Sequence, residues 1–164
     1  MTLADHPLLR DYVGKPAILD SNLLLFSWCS TFNPGLVTSF KRLNTFQIED
    51  IELLSETLKV FSVLRTTPHV LTEVSNLANQ LPKWIKQDWS EHFSKQIQVI
   101  EEEWLRANTM AGSDLLWLGL TDATLAELAK TNVILTLDFP LSNSLESLGL
   151  KVINFTHLRS LWLE

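Results

Sequence analysis

Four acidic residues stand where the sequence predicts the ends or edges of secondary-structure elements. Asp20 and Asp138 each end a short apolar run, Asp122 falls in the first turn of a predicted helix, and Glu73 borders the apolar stripe of another. Each acid taken alone is typical of a helix cap or a solvent-facing side chain. A carboxylate among apolar residues is costly unless it is hydrogen-bonded, paired or bound to a metal. Taken together, the four acids predict a site for a hard cation such as Mg²⁺, which prefers oxygen ligands.

The elements that must position these acids alternate between strand-like and helical patterns. Short apolar runs at 17–20, 132–138 and 151–155 predict strands, and "RTTPHV" predicts a short strand or turn. The segment "LSNSLESLG" after Asp138 predicts a brief helix with a glycine stop. Apolar spacings of three and four predict helices over 48–64 and about 69–81, a helical insert over about 82–118, and a helix capped by Thr121. Strands that are apolar on both faces and joined by helices indicate an α/β fold. We therefore expect one domain over 1–164, a three-layer sandwich around a parallel sheet of four to five strands.

Composition and charge exclude several classes of protein. The 164 residues carry a formal net charge of −6 and one cysteine, Cys29. The acidic balance argues against a protein that coats nucleic acid through its bulk charge. A single cysteine forms no internal disulfide, and the apolar neighbours of Cys29 indicate a packed thiol. No apolar run is long enough to span a bilayer and the N-terminal residues do not resemble a secretory signal, so we expect a cytoplasmic protein.

Four segments, in order, resemble the motifs of the PIN-domain nucleases. They are "AILDSNLLLF", "TPHVLTEVSNL", "GLTDATLAELA" and "NVILTLDFPLSNSLESLGLKVINF", and they extend through nearly the whole chain. Each motif is weak by itself, whereas four in the family's order are specific. The resemblance implies a PIN-like fold and a metal-dependent endonuclease that most often cuts RNA.

The resemblance also implies a role for individual residues. Asp20, Glu73, Asp122 and Asp138 match the four acids of the family, which hold Mg²⁺ or Mn²⁺. Two further residues, Asn22 and Thr136, match polar positions that orient the acids or the attacking water. Hydrolysis by a metal-activated water would leave a 5′-phosphate and a 3′-hydroxyl. A homodimer and a protein inhibitor of the antitoxin kind are open alternatives for partners, and no membrane is expected.

Other functions fit some of the same residues. A PIN-like module that binds nucleic acid or protein without catalysis is one alternative, although the presence of all four acids disfavours it. A haloacid-dehalogenase-like phosphatase would carry a second acid two residues after Asp20, where Asn22 stands. A receiver domain would have paired acids at the end of the first strand, and these are absent too.

Several other residues could contact metal or RNA. His69 and Glu73 have the i, i+4 spacing of a zinc pair, but no further His or Cys ligand follows at helical spacing, so capping or packing is expected for His69. The acidic run "EEEW" at 101–104 predicts a solvated helix face. Candidate contacts to phosphate come from the cations of "PKWIKQDW" and from Lys41 and Arg42.

Overall fold

The computed structural model describes residues 2–162, which fold as an α/β protein around five parallel strands. The strands are β1 (Pro16–Leu19), β2 (Val63–Thr66), β3 (Glu101–Glu102), β4 (Val133–Thr136) and β5 (Val152–Asn154). The helices of the described residues are α1 (Ser21–Phe32), α2 (Leu36–Ser39), α3 (Glu49–Leu58), α4 (Pro68–Ala78), α5 (Lys86–Val99), α6 (Leu120–Leu128), α7 (Phe139–Ser147) and α8 (Phe155–Trp162). The predicted α/β class and parallel sheet are therefore confirmed.

The order of the strands fixes where a ligand can bind. The order is β3-β2-β1-β4-β5. After β1, the strands β2 and β3 lie on one side of it, and β4 and β5 lie on the other side. Ala17 of β1 is opposite Val133 of β4, and Leu19 is opposite Leu135. In open parallel sheets, ligands bind beyond the carboxyl ends of the strands at the point where this order reverses. That point lies between the ends of β1 and β4.

Burial explains why the apolar runs become these elements. Every residue of β4 is buried, as are three of the four residues of β1, which is what a strand covered on both faces requires. The helix α1 is rich in apolar residues, and most of its side chains are buried, including Phe26. The predicted helix after Asp138 and the final strand are both confirmed, and Gly149 follows that helix with a φ of 68°.

The helix predicted over 48–64 is wrong in its second half. The helix α3 ends at Leu58, and residues Val63–Thr66 form β2, in which Leu64 is opposite Ala17. The apolar spacing continues to Phe61 because that side chain still packs against the core from the turn between the two elements. Spacing alone did not separate a helix from a turn followed by a strand.

The insert over about 82–118 is only partly helical. A 3-10 turn at Lys83–Ile85 leads into α5, which ends at Val99, so the predicted continuation of the helix to Ile100 and Trp104 is wrong. Two of the acids in "EEEW" form the edge strand β3 instead of a helix face. Arg65 of β2 explains the change, because its guanidinium pairs with Glu101 at 2.7 Å and with Glu103 at 3.1 Å.

Several tryptophans of the insert are exposed. Trp84 is 80% exposed, Trp104 70% and Trp117 72%, whereas Trp89 is buried among the aromatic side chains of α1 and α5. This exposed apolar surface fits the expectation of a partner face, and the homodimer stays a prediction. None of the helices in residues 2–162 combines the length and the apolar character needed to cross a bilayer.

Candidate active site

The two strand-end acids occupy equivalent positions at the carboxyl ends of β1 and β4. Asp20 is the N-cap of α1, and its Oδ1 accepts a hydrogen bond from the Leu23 backbone N–H at 2.9 Å. Asp138 is the N-cap of α7, and its Oδ1 accepts from the Leu141 N–H at 2.8 Å. Aspartate is favoured at this position because it satisfies an unpaired amide of the first turn. Capping therefore fixes one oxygen of each carboxylate at the reversal point of the sheet.

Thr136 connects these two acids. Its hydroxyl donates to Oδ2 of Asp20 and accepts from the backbone N–H of Asp138 at 2.9 Å. The Leu137 N–H also donates to Oδ2 of Asp20, at 3.3 Å. Thr136 is fully buried, so these bonds are shielded from water. The sequence-predicted role of Thr136 in orienting the acids agrees with this geometry.

Glu73 projects toward the same region from α4. Its Oε2 accepts from the Ser21 hydroxyl at 2.6 Å, and its Oε1 accepts from the Thr121 hydroxyl at 2.5 Å. Ser21 directly follows Asp20, and Thr121 directly precedes Asp122. One exposed carboxylate thus joins α4 to the starts of α1 and α6. Sequence reasoning did not assign Ser21, although a hydroxyl next to a strand-end acid is a usable signal.

The predicted role of Thr121 is wrong. The helix α6 begins at Leu120, with Gly119 as its N-cap at a φ of 107°, a backbone conformation that glycine adopts easily. Thr121 lies inside the first turn, where its hydroxyl contacts Glu73 instead of a free backbone amide. Asp122 does lie in the first turn of α6, as expected.

The pKa of Asp122 responds to its burial and to the charges of the other three acids. Burial raises the pKa of Asp122 to about 7, and the negative charges of Asp138, Asp20 and Glu73 add to the increase. Within residues 2–162, the Asp122 carboxylate accepts no hydrogen bond that would offset this effect. Four acids from four separate parts of the chain therefore share one electrostatic environment.

Asp20 is the most deeply buried of the four acids, with 6% of its surface exposed. Burial raises the pKa of the Asp20 carboxyl, and the hydrogen bonds from Thr136, Leu23 and Leu137 oppose that increase. The charge of Asp138 raises it further. The buried carboxylate is thus stabilised in its charged form by donors on three sides.

Asn22 occupies the open side of the site. Its side chain is exposed and lines a cleft of about 400 Å³ together with Asp138, Leu137 and other residues. The side chain of Asn22 has no hydrogen-bond partner among the described residues. The predicted position of Asn22 beside the acids therefore agrees with the structure, whereas its role stays a prediction.

The donor set fits a hard divalent cation. Carboxylate oxygens are the preferred ligands, and a cation would relieve the repulsion that raises the pKa of Asp122. As the side chains stand in residues 2–162, no three His, Cys, Asp or Glu groups are close enough to hold one ion directly. Mg²⁺ commonly takes only one or two protein carboxylates and keeps several waters. Direct ligation by two acids, with the others acting through water, fits both observations.

His69 and Cys29 do not join the site as ligands. Thr67, not His69, caps α4 by accepting from the Val70 N–H at 3.1 Å. The Nδ1 atom of His69 is buried and has no partner among the described residues. Cys29 is fully buried, and burial raises the pKa of its thiol to about 12, so the expectation of a packed thiol is confirmed.

Comparison of the chain with protein-family models, with curated proteins and with solved structures gave no match.

Proposed function

We propose that this protein is a metal-dependent endoribonuclease of the PIN type, with the three-layer PIN-like arrangement of helices around its sheet. The substrate is an RNA strand, and Asp20, Glu73, Asp122 and Asp138 are the catalytic acids. The order of these acids along the chain and their motifs support the family resemblance.

One observation carries the proposal. Asp20 and Asp138 stand at the ends of adjacent strands where the strand order reverses, and the Thr136 hydroxyl connects them. The charges of Asp20, Asp138 and Glu73 all raise the pKa of the Asp122 carboxyl. A cluster of acids costs stability, and carboxyl groups with strongly shifted pKa values are found most often at functional sites. Phosphodiester hydrolysis with a divalent cation is the function that these donors fit best.

The residues of the chain then have distinct tasks. A cation bound directly by two of the acids Asp20, Asp122 and Asp138, with the third acting through water, would polarise the phosphodiester and lower the pKa of a bound water. Thr136 donates to the Asp20 carboxylate, which opposes the effect of burial on its pKa and holds its orientation. Glu73, held at both oxygens by Ser21 and Thr121, orients the water that attacks phosphorus. The bond from phosphorus to the 3′ oxygen breaks, that oxygen takes a proton, and a 5′-phosphate remains on the other product.

The test is cleavage of single-stranded RNA and DNA panels with Mg²⁺, with Mn²⁺ and with chelator. We expect RNA cleavage that requires the metal and falls by orders of magnitude in Asp20→Asn. Asn retains the shape of the side chain and the capping of α1. Asp88→Asn is the matched control, because Asp88 is an exposed acid on α5 with no ion pair among the described residues. Equal cleavage by wild type and Asp20→Asn would contradict the assignment.

A second candidate is a PIN-like module that binds nucleic acid without cutting it. The specific observation in its favour is that both oxygens of Glu73 already accept hydroxyl hydrogen bonds, and no three acids of residues 2–162 stand in ligating distance of one ion. This candidate predicts binding of RNA that survives chelation, with intact RNA recovered after long incubation with Mn²⁺.

A further inference from the structure

A cleft of about 400 Å³ adjoins the acids and contains two arginines. It is lined by Asn22, Arg42, Thr45, Leu137, Asp138, Thr156 and Arg159. Asp138 belongs to both the cleft and the acidic site, so a group bound in the cleft lies next to the acids. The walls also present hydroxyl and amide groups that can donate hydrogen bonds to an anion.

The guanidinium of Arg159 is held in a fixed orientation. Its Nε donates to Oδ1 of Asp50 at 2.8 Å, and its Nη2 donates to Oδ2 of Asp50 at 2.7 Å and to the Thr45 carbonyl at 3.2 Å. The Asp50 side chain is only 3% exposed, so this pair is well shielded. Among the described residues, Nη1 of Arg159 has no acceptor. A rigid arginine with a remaining N–H edge is well suited to an oxyanion.

Arg42 contributes the second positive charge of the cleft. Its Nε donates to the Gln80 side chain at 2.8 Å, which orients the guanidinium without neutralising it. Within residues 2–162, no carboxylate forms an ion pair with Arg42, whereas Asp50 balances the charge of Arg159. The two arginines therefore differ in task, since Arg159 provides fixed geometry and Arg42 provides uncompensated charge.

We propose that this arginine cleft binds an internal phosphate of the nucleic-acid strand, next to the phosphate that is presented to the acids. The inference rests on the proposed function. A strand that approaches a chain with a net charge of −6 and an acidic cluster needs a local cation to hold its backbone. Phosphate contacts of this kind fix the register of a strand and carry little sequence information. The cleft therefore selects which phosphodiester reaches the acids.

The experiment measures binding apart from cleavage. The probe is a fluorescent single-stranded RNA of about 12 nucleotides, long enough to cover a typical single-strand site. Its affinity is measured by anisotropy in chelator over a series of salt concentrations, for wild type, Arg42→Gln and Lys41→Gln. The sequence predicts a phosphate contact for Lys41 as well as for Arg42, but only Arg42 lines the cleft. Lys41 is therefore the matched control, an exposed cation next to Arg42 that lies outside the cleft lining. Arg159→Lys is a second variant that keeps a cation opposite Asp50 but loses the planar fork.

We expect Arg42→Gln to weaken binding about tenfold and to lower the salt dependence by about one phosphate contact, with Lys41→Gln close to wild type. Arg159→Lys should weaken binding while its melting temperature shows that it is folded. Equal losses of affinity in Arg42→Gln and Lys41→Gln, or no binding of the RNA by wild type, would overturn the proposal that the cleft binds a phosphate. If wild type and Asp20→Asn cleaved RNA equally, the assignment of the acids would fail while these binding results in chelator would stand, so the two proposals fail separately.

Two further arms identify the kind of phosphate. The first compares the same RNA with a 5′-phosphate and with a 5′-hydroxyl, and the second adds inorganic phosphate as competitor. An internal phosphodiester predicts equal affinity for the two RNAs and weak competition. Tighter binding of the 5′-phosphorylated RNA, lost in Arg42→Gln, would overturn the internal assignment in favour of a terminal phosphate.

Discussion

The hydroxyl of Thr136 donates a hydrogen bond to the buried carboxylate of Asp20 across 116 positions of the sequence. This bond is formed because β4 lies beside β1, so that the last residue of one strand reaches the residue after the other. It is one of three hydrogen bonds that keep the charged form of Asp20 accessible despite burial. The candidate site depends on this contact between two strands.

Thr136→Val should impair the site by removing that donor. Because the hydrogen bond opposes the effect of burial, its loss should raise the pKa of Asp20 further, and cleavage should fall about 10- to 100-fold, the range for residues that hold a ligand in place. Stability should fall by about 1 to 3 kcal/mol, since a buried acceptor loses its partner. The measurements are the pH profile of cleavage and thermal unfolding. Thr136→Ser restores the hydroxyl and should recover most activity; an inactive, folded Thr136→Ser would count against this role.

The hydroxyls of Ser21 and Thr121, which donate to Glu73, should affect cleavage only through that residue. Ser21→Ala or Thr121→Val should each lower cleavage about tenfold, because each removes one of the bonds that orient the carboxylate. In a Glu73→Gln background the same changes should have little further effect. A double-mutant cycle measures this coupling. Additive losses in the cycle would mean that the hydroxyls contact the substrate or the cation themselves.

Asp122→Asn should stabilise the metal-free protein at neutral pH. An acid whose folded pKa is raised from 3.8 to about 7 keeps its proton in the folded state while the unfolded state releases it, so stability falls as pH rises from about 4 to 7. At about 1.4 kcal/mol per unit the full shift would amount to about 4 kcal/mol. Because Asp122 is partly exposed, solvent screening reduces this energy. We expect Asp122→Asn to be about 1 to 2 kcal/mol more stable than wild type at neutral pH.

The measurement is the difference in melting temperature between wild type and Asp122→Asn in chelator, from acidic to mildly alkaline pH. The difference should be near zero at pH 4 and should grow until about pH 7. Asp88→Asn controls for the loss of one exposed charge. A difference that is flat with pH, or a destabilised Asp122→Asn protein, would show that the raised pKa of Asp122 does not destabilise the metal-free protein.

Binding of Mn²⁺ should become tighter as pH rises toward 7. A ligand must lose its proton before it binds a cation, so with one such group the affinity should rise about tenfold per pH unit below about 7 and then level off. Calorimetry at a series of pH values measures this slope. The same experiment in different buffers gives an independent count of the protons that are released when Mn²⁺ binds. An affinity that does not change with pH would exclude Asp122 as the group that titrates on binding.

Local sequence patterns were enough to predict the elements that carry Asp20 and Asp138. The apolar runs before Asp20 and Asp138 predict buried parallel strands, and an acid after such a strand is placed at the carboxyl edge of the sheet by backbone geometry alone. Thr136 and Asn22 were also placed correctly beside the acids, on the evidence of a family resemblance. The strands and the acids that end them depend on neighbours within a few residues along the chain, whereas the contact of Thr136 with Asp20 depends on the pairing of β1 with β4.

Contacts between residues that are far apart in the chain come from tertiary packing. Local spacing could not indicate that Ser21 and Thr121 hold Glu73, that acids in "EEEW" form an edge strand beside Arg65, or that Arg159 pairs with Asp50 across 109 positions. The helical pattern over 48–64 and the cap at Thr121 failed for the same reason. Periodicity reports which face of an element is buried, whereas the partner of each side chain depends on strand order and packing, which no local pattern contains.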